Sequence, residues 1–451
     1  MSVTAPGYFA PVSVSSRPRL RWPQVRTELP PAAFKAVLLV CWTLPLACLN
    51  LHDHRLAPYY FTFDATTIAK VLSRMAATIV VGYILLRHGH QPGFRKLWVT
   101  IFPWLLFGLW ATTSVLWSPL KPLTAGHGAE VVLLSLIAAI TGMVCTNEER
   151  LSKLFLSMTL VGLLMTLVLF VFYRDIVFNP SVLLHAARPG GVLEANAMGG
   201  ISGVYLLLLV GSALIGRWKW PKRLLVPGIL IHGLSMYVAH SRGALVVTLL
   251  MMFVLVLMVN RSLAILVVIS LIAVFAAAFP LLSDPGKMGD SVTSYFMRGQ
   301  TADVMLHGSG RGELWTQGVA SFVDAPWFGH GYFVMSDSGF LQVWRAEQWQ
   351  TAHNLFLHVA TGTGILGLVP FIWALCAVLS AALRQLRDTG VRGKLARITL
   401  VIFGYWITTG FLELSFLGPV NPATLLFYVC IGLAAGLYQF DKGNGRNYIT
   451  L

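Results

Sequence analysis

The chain has 451 residues, of which 56% are hydrophobic and 11% charged, with a mean hydropathy of +0.71. Soluble domains carry about 25% charged residues, so this composition excludes a water-soluble globule. The formal net charge of +15 sits in short links between apolar runs rather than in one basic patch, which argues against a nucleic-acid partner.

The apolar runs are about 20 residues long, enough to cross a bilayer core as helices. They do not alternate as barrel strands do. The expected fold is an all-α polytopic membrane protein. A Pro- and Arg-rich tail, 1–32, comes first, without the short apolar core and cleavage site of a removable signal peptide. Twelve spans follow, at 33–50, 65–86, 97–117, 125–146, 152–173, 193–216, 224–240, 243–259, 262–281, 354–383, 395–416 and 422–440. The organisation expected is thus nine spans within 33–281, an external loop at 282–353, three spans within 354–440 and a tail at 441–451.

Charge orients these spans. Links such as "RHGHQPGFRK", "RWKWPKR" and "RQLRDTGVRGKLAR" fall on one side, which holds 22 of the 33 Lys and Arg residues. Positive charge stays on the cytoplasmic side, so both termini are expected there and 282–353 on the periplasmic side. Lys70 and Arg74 lie inside the second span, lining a cavity or marking an oblique helix. Five cysteines lie in apolar runs with no CxxC spacing, so neither disulfides nor a zinc site is expected.

Within the external loop, "GSGRGELWTQGVASFVDAPWFGHG" contains an amphipathic helix over 312–324. Leu314, Val319 and Phe322 fall on one face, and Glu313 and Gln317 on another. Such a helix suits the outer membrane surface.

Three charged or titratable residues fall on the external side: Arg242 in "AHSRGALV", Arg311 in "GSGRGELW", and His353 at the start of the tenth span. Charge near membrane depth is costly and marks function. Each also has a plain structural role: Arg242 as a snorkelling turn residue, Arg311 as a partner of Glu313, His353 as a helix cap. Arginine forks bind phosphate oxygens in pairs, and a neutral imidazole accepts a proton from a hydroxyl. Two arginines and a histidine therefore suit phosphate-linked group transfer without a metal ion. His353 and His358 are about 140° apart around a helix, which disfavours a two-histidine metal site.

"HNLFLHVATGTGILG" fits His-[Asn/Ser/Gln], nine residues, then Gly-x-x-Gly, through His353, Asn354, Gly364 and Gly367. This resembles the signature of the O-antigen ligases of Gram-negative bacteria. "SRGALV" and "GSGRGELW" are similar to two further segments of the wider ligase and polymerase superfamily. The resemblance implies a membrane glycosyltransferase of the GT-C type in the bacterial inner membrane, with its active site facing the periplasm. It implies transfer of an O-antigen glycan from undecaprenyl diphosphate to lipid A–core, with no metal or cofactor and with inversion at the anomeric carbon. On that pattern Arg242 and Arg311 hold the diphosphate and His353 activates the acceptor hydroxyl. Arg188 is a further phosphate candidate by its external position alone. Glu413, in "FLELSF", is either a partner of an arginine or a plain helix-end charge, and falls outside the expected site. The partners implied are the two lipid-linked substrates and the surrounding membrane lipids. A polymerase, a protein O-oligosaccharyltransferase or a transporter are the competing readings. Against the last, there is no visible two-fold repeat.

Overall fold

A computed structural model describes residues 29–47, 65–91, 94–145, 148–172, 174–179, 195–259, 311–335, 353–414, 416–417 and 420–439. Among them every regular element is helical. In chain order these are α1 (Pro31–Ala47), α2 (Ala65–His88), α3 (Arg95–Thr113), α4 (Lys121–Val144), α5 (Glu148–Phe172) and the single turn α6 (Arg174–Val177). They continue as α7 (Ala195–Ile215), α8 (Trp220–Ala239), α9 (Arg242–Val259), α10 (Arg311–Asp324), α11 (Leu355–Arg384), α12 (Val391–Gly410) and α13 (Pro422–Gln439). Seven of the described helices are long and apolar enough to cross a membrane: α2, α3, α4, α5, α7, α9 and α11. α1 and α13 are apolar but shorter. The chain is thus a polytopic helical membrane protein. The expected span at 262–281, residues 1–28 of the first tail, most of the 282–353 loop and the tail at 441–451 lie outside the described residues, as does Arg188.

Packing follows the distribution of apolar side chains. α13 is apolar on every side and buried from Ala423 to Leu437, as a helix with no polar face must be. It packs against α3, α4, α11 and α12. An aromatic cluster fills the seam: Trp104 of α3 meets Phe371 of α11 and Phe427 and Tyr428 of α13, with ring centroids 5.4–6.0 Å apart. α2 is peripheral. Its Ile68, Val71, Leu72, Met75 and Ile79 are exposed, while Ala77, Val81 and Ile84 on the opposite face are buried with α1 and α4.

The bundle has two distinct ends. One is basic: Lys394 Nζ donates to Ile215 O at 3.0 Å, and Arg217 pairs with Glu148 at 3.2 Å. At the other end Tyr332 ties three segments together. Its backbone N–H donates to Ser114 Oγ at 2.9 Å, its carbonyl accepts from Thr124 Oγ1 at 2.9 Å, and its hydroxyl donates to Leu417 O at 2.9 Å. Arg242, Arg311 and His353 all lie at this second end.

α11 is not a straight span. The rings of Phe356 and Phe371 lie 6.1 Å apart, whereas fifteen residues of straight helix extend about 22 Å. The chain turns a sharp corner at Gly364, whose φ of 63° and ψ of −170° are non-helical. Residues 355–363 form a stub, and 365–384 are long enough to cross the core at about 1.5 Å per residue. The expected continuous span at 354–383 is corrected accordingly.

Candidate functional site at the Glu413 carboxylate

The corner in α11 positions the site. Breaking a membrane helix orphans backbone groups, which must be satisfied again. The turn 325–331 does this. His330 N–H and Gly331 N–H donate to the carbonyls of Thr361 and Gly362, both at 2.9 Å. Ile365 and Leu366 N–H donate to the carbonyls of Pro326 and Trp327 at 2.8 and 3.3 Å. Trp110 Nε1 of α3 donates to Thr363 O at 3.0 Å. Only glycine fits Gly364, since a Cβ there would lie 2.3 Å from the backbone of Trp327. Gly329, at φ 67°, is confined in the same way against Gly362. Gly367 makes room first for the Thr363 side chain, whose Oγ1 would lie 2.1 Å from an added Cβ, and then for Trp110 of α3, whose Cδ1 would lie 2.7 Å away. Gly364 and Gly329 thus admit the backbone of a turn, and Gly367 admits Thr363 and an indole from the neighbouring helix α3.

His353 sits just before the stub, in the left-handed region at φ 44°. Few non-glycine residues adopt that conformation, and those that do often mark functional sites. Asn354 caps the stub: its Oδ1 accepts from Leu357 N–H at 3.0 Å. The cap fixes the direction in which His353 leaves the helix.

Glu413, just beyond α12, joins the parts. Its Oε2 lies 2.7 Å from His353 Nδ1 and its Oε1 lies 2.7 Å from Arg311 Nη2. All three side chains are about a quarter exposed. A carboxylate only accepts, so Nδ1 carries the imidazole proton. In the neutral ring Nε2 then holds the acceptor lone pair. Arg311 is the first residue of α10, which packs on α11. His330 Nε2 donates to Ser321 O at 2.8 Å and so links α10 to the turn clasped by the stub. Arg242 is the first residue of α9. Its neighbour Gly243 faces Leu412, 3.5 Å from where a Cβ would stand, which brings the start of α9 beside the Glu413 segment.

The structure therefore gathers Arg311 and His353 at one carboxylate and sets Arg242 at the same end. Glu413 falls outside the site expected from the sequence. Its signal was an acid at an apolar helix end, on the side of both residues it meets. The expected amphipathic helix exists as α10, with a different face. Val319 is exposed with Trp315 and Val323, while Gly318 and Ser321 are buried. Of the three residues expected on one face, Val319 is exposed and Leu314 and Phe322 are half-buried, because α10 packs by its small residues against the stub.

No curated protein matches the chain. Residues 227–372 match the family model described as O-antigen ligase. The match includes Arg242, Arg311, His353, Asn354, Gly364 and Gly367, and ends before Glu413. That segment, about a third of the chain, holds the corner, its clasp and two of the three groups at the carboxylate, and over it the chain is similar to the O-antigen ligase family.

Proposed function

We propose that the protein transfers an O-antigen glycan from undecaprenyl diphosphate to a sugar hydroxyl of lipid A–core, without a metal ion and with inversion, at the periplasmic face of the bacterial inner membrane. The match of residues 227–372 to the O-antigen ligase model supports glycosyl transfer from lipid-linked glycans; the named donor, acceptor and membrane face extend that reading. One observation carries it: the Glu413 carboxylate is shared by His353 and Arg311. In this reading His353 Nε2 removes the proton of the acceptor hydroxyl as its oxygen bonds to the anomeric carbon. The bond from that carbon to the diphosphate breaks, and its electron pair leaves with the diphosphate. Arg242 and Arg311 stabilise the charge that grows there, with Arg188 as a further phosphate contact. Glu413 holds the imidazole in the reactive tautomer and stabilises it once protonated.

Purified protein in detergent, given both lipid substrates and EDTA, is expected to form glycan-bearing lipid A–core. His353→Ala should lower the rate about 10²–10⁴-fold, the usual contribution of a general base. Strict dependence on an added metal, or full activity of His353→Ala, overturns the mechanism. Chain lengthening on a second lipid-diphosphate glycan, with none on lipid A–core, assigns the polymerase reaction instead.

A further inference from the structure

A second cluster lies beneath the same end of the bundle, outside the proposed reaction. Arg74 Nη2 of α2 lies 2.6 Å from Oε1 of Glu130 of α4, and His127 Nδ1 lies 2.9 Å from its Oε2. These are the residue types of the Glu413 cluster. Both Arg74 and Glu130 stand nine residues into their helices, about 13 Å below the end. An ion pair at that depth gains little over apolar packing and commonly marks a ligand path. Glu130 is the sole acid of the expected fourth span.

His358 provides an independent sign. It is fully buried, and among the described residues its ring nitrogens make no well-formed hydrogen bond, the Met335 backbone being the polar group that reaches the ring. A buried imidazole so poorly satisfied leaves bonding capacity for a ligand or an ordered water. Its ring lies 5.0 Å from Phe333, which packs 4.1 Å from His127. His358 therefore points from the stub into the same region.

The cluster is shaped for an anion. The Glu130 side chain is 4% exposed and forms the floor, while Arg74 is 26% and His127 16% exposed. An entering group meets the cations first. Lys70 stands one turn nearer the end, on the same face of α2. The other face of α2 is apolar and exposed at Ile68, Val71, Leu72 and Met75, suited to an acyl or prenyl chain. We propose that Arg74, Lys70 and His127, anchored by Glu130 and backed by His358, bind a phosphate group carried on a lipid, separately from the Glu413 cluster. Within the transfer proposed above, on which this clause alone rests, it holds the phosphate of the second lipid-linked substrate.

The test is calorimetric titration of the purified full-length protein with dioctanoyl phosphatidic acid, dioctanoyl phosphatidylcholine and inorganic phosphate. Phosphatidic acid should show a binding event that Arg242→Gln/Arg311→Gln keeps and Arg74→Gln/Glu130→Gln loses. The latter variant removes both partners, so neither charge is left buried alone. Lys70→Gln should weaken the same event about tenfold. Unchanged binding in Lys70→Gln or in a folded Arg74→Gln/Glu130→Gln protein overturns the site. Equal binding of phosphatidylcholine overturns recognition of the phosphate charge, and equal binding of inorganic phosphate overturns the lipid. Binding as described in a protein that transfers no glycan leaves the site standing and removes the proposed function.

Discussion

Glu413 decides what His353 can do. An imidazole in water chooses either tautomer and rotates freely. Here the carboxylate 2.7 Å from Nδ1 fixes the proton on that nitrogen and aims Nε2 away from it. The same carboxylate holds Arg311 Nη2, so one side chain sets the spacing between the proposed base and a proposed phosphate ligand. Glu413→Gln keeps the shape but loses the charge, and an amide cannot serve both donors equally. We expect its kcat to fall on the order of 10²-fold, since an orienting carboxylate makes a large share of a general base's effect. The KM for the acceptor should change little. Glu413→Asp, which retains the charge on a shorter arm, should recover part of that loss. Steady-state kinetics on the three proteins check this, and wild-type kcat in Glu413→Gln removes Glu413 from the site. Arg311 and His353 were legible as residues because each is polar in an apolar setting. Their meeting was not, because it depends on how α10, α11 and the end of α12 converge, and "FLELSF" carries no mark of that.

At the level of elements, the corner of α11 joins sequence to site. The spacing of Gly364 and Gly367 shows that something packs closely, and small residues in membrane helices usually admit another helix. At Gly367 that holds, since Trp110 of α3 reaches it, but at Gly364 the neighbour is the turn 325–331, whose backbone replaces the hydrogen bonds that the corner breaks. Its "PWFGHG" reads as a loop when taken alone. Only the pairing of two distant glycine-bearing segments reveals a clasp, and one sequence does not show pairing. Two substitutions separate geometry from contact. Gly364→Ala places a Cβ 2.3 Å from the Trp327 backbone at a φ of 63°. Backbone strain there costs about 1–3 kcal/mol before the overlap is added, so most of the protein should aggregate or unfold early in a detergent thermal scan. Trp110→Phe keeps the ring against Phe328 and Trp117, whose centroids are 5.9 and 5.7 Å away. It loses only the bond to Thr363 O, worth about 1 kcal/mol. It should remain folded with a slightly lower unfolding temperature. Near-native stability in Gly364→Ala would show that the corner is not needed for the fold.

Across the whole molecule, hydropathy and charge make most of the architecture legible, because a bilayer imposes length and sidedness on every span. Helix positions followed from apolar runs. The pairing of Arg74 with Glu130 did not, since a lone acid and a lone base in two spans can face any neighbour. Sidedness offers the last test. The end carrying Arg217, Arg384, Lys394 and Arg397 is the basic one, and positive loops remain in the cytoplasm. The opposite end holds the Glu413 cluster, and lipid-linked glycans can reach it only from the side where it opens. Thr316 of α10 and Thr389, between α11 and α12, are both exposed and lie at opposite ends. In a chain whose five cysteines are replaced by serine or alanine, Thr316→Cys should react with a membrane-impermeant maleimide in intact spheroplasts. Thr389→Cys should react only after the membrane is permeabilised. The reverse pattern would put the carboxylate and its proposed substrates on opposite sides of the membrane, and no transfer of a periplasmic glycan could then be drawn from this geometry.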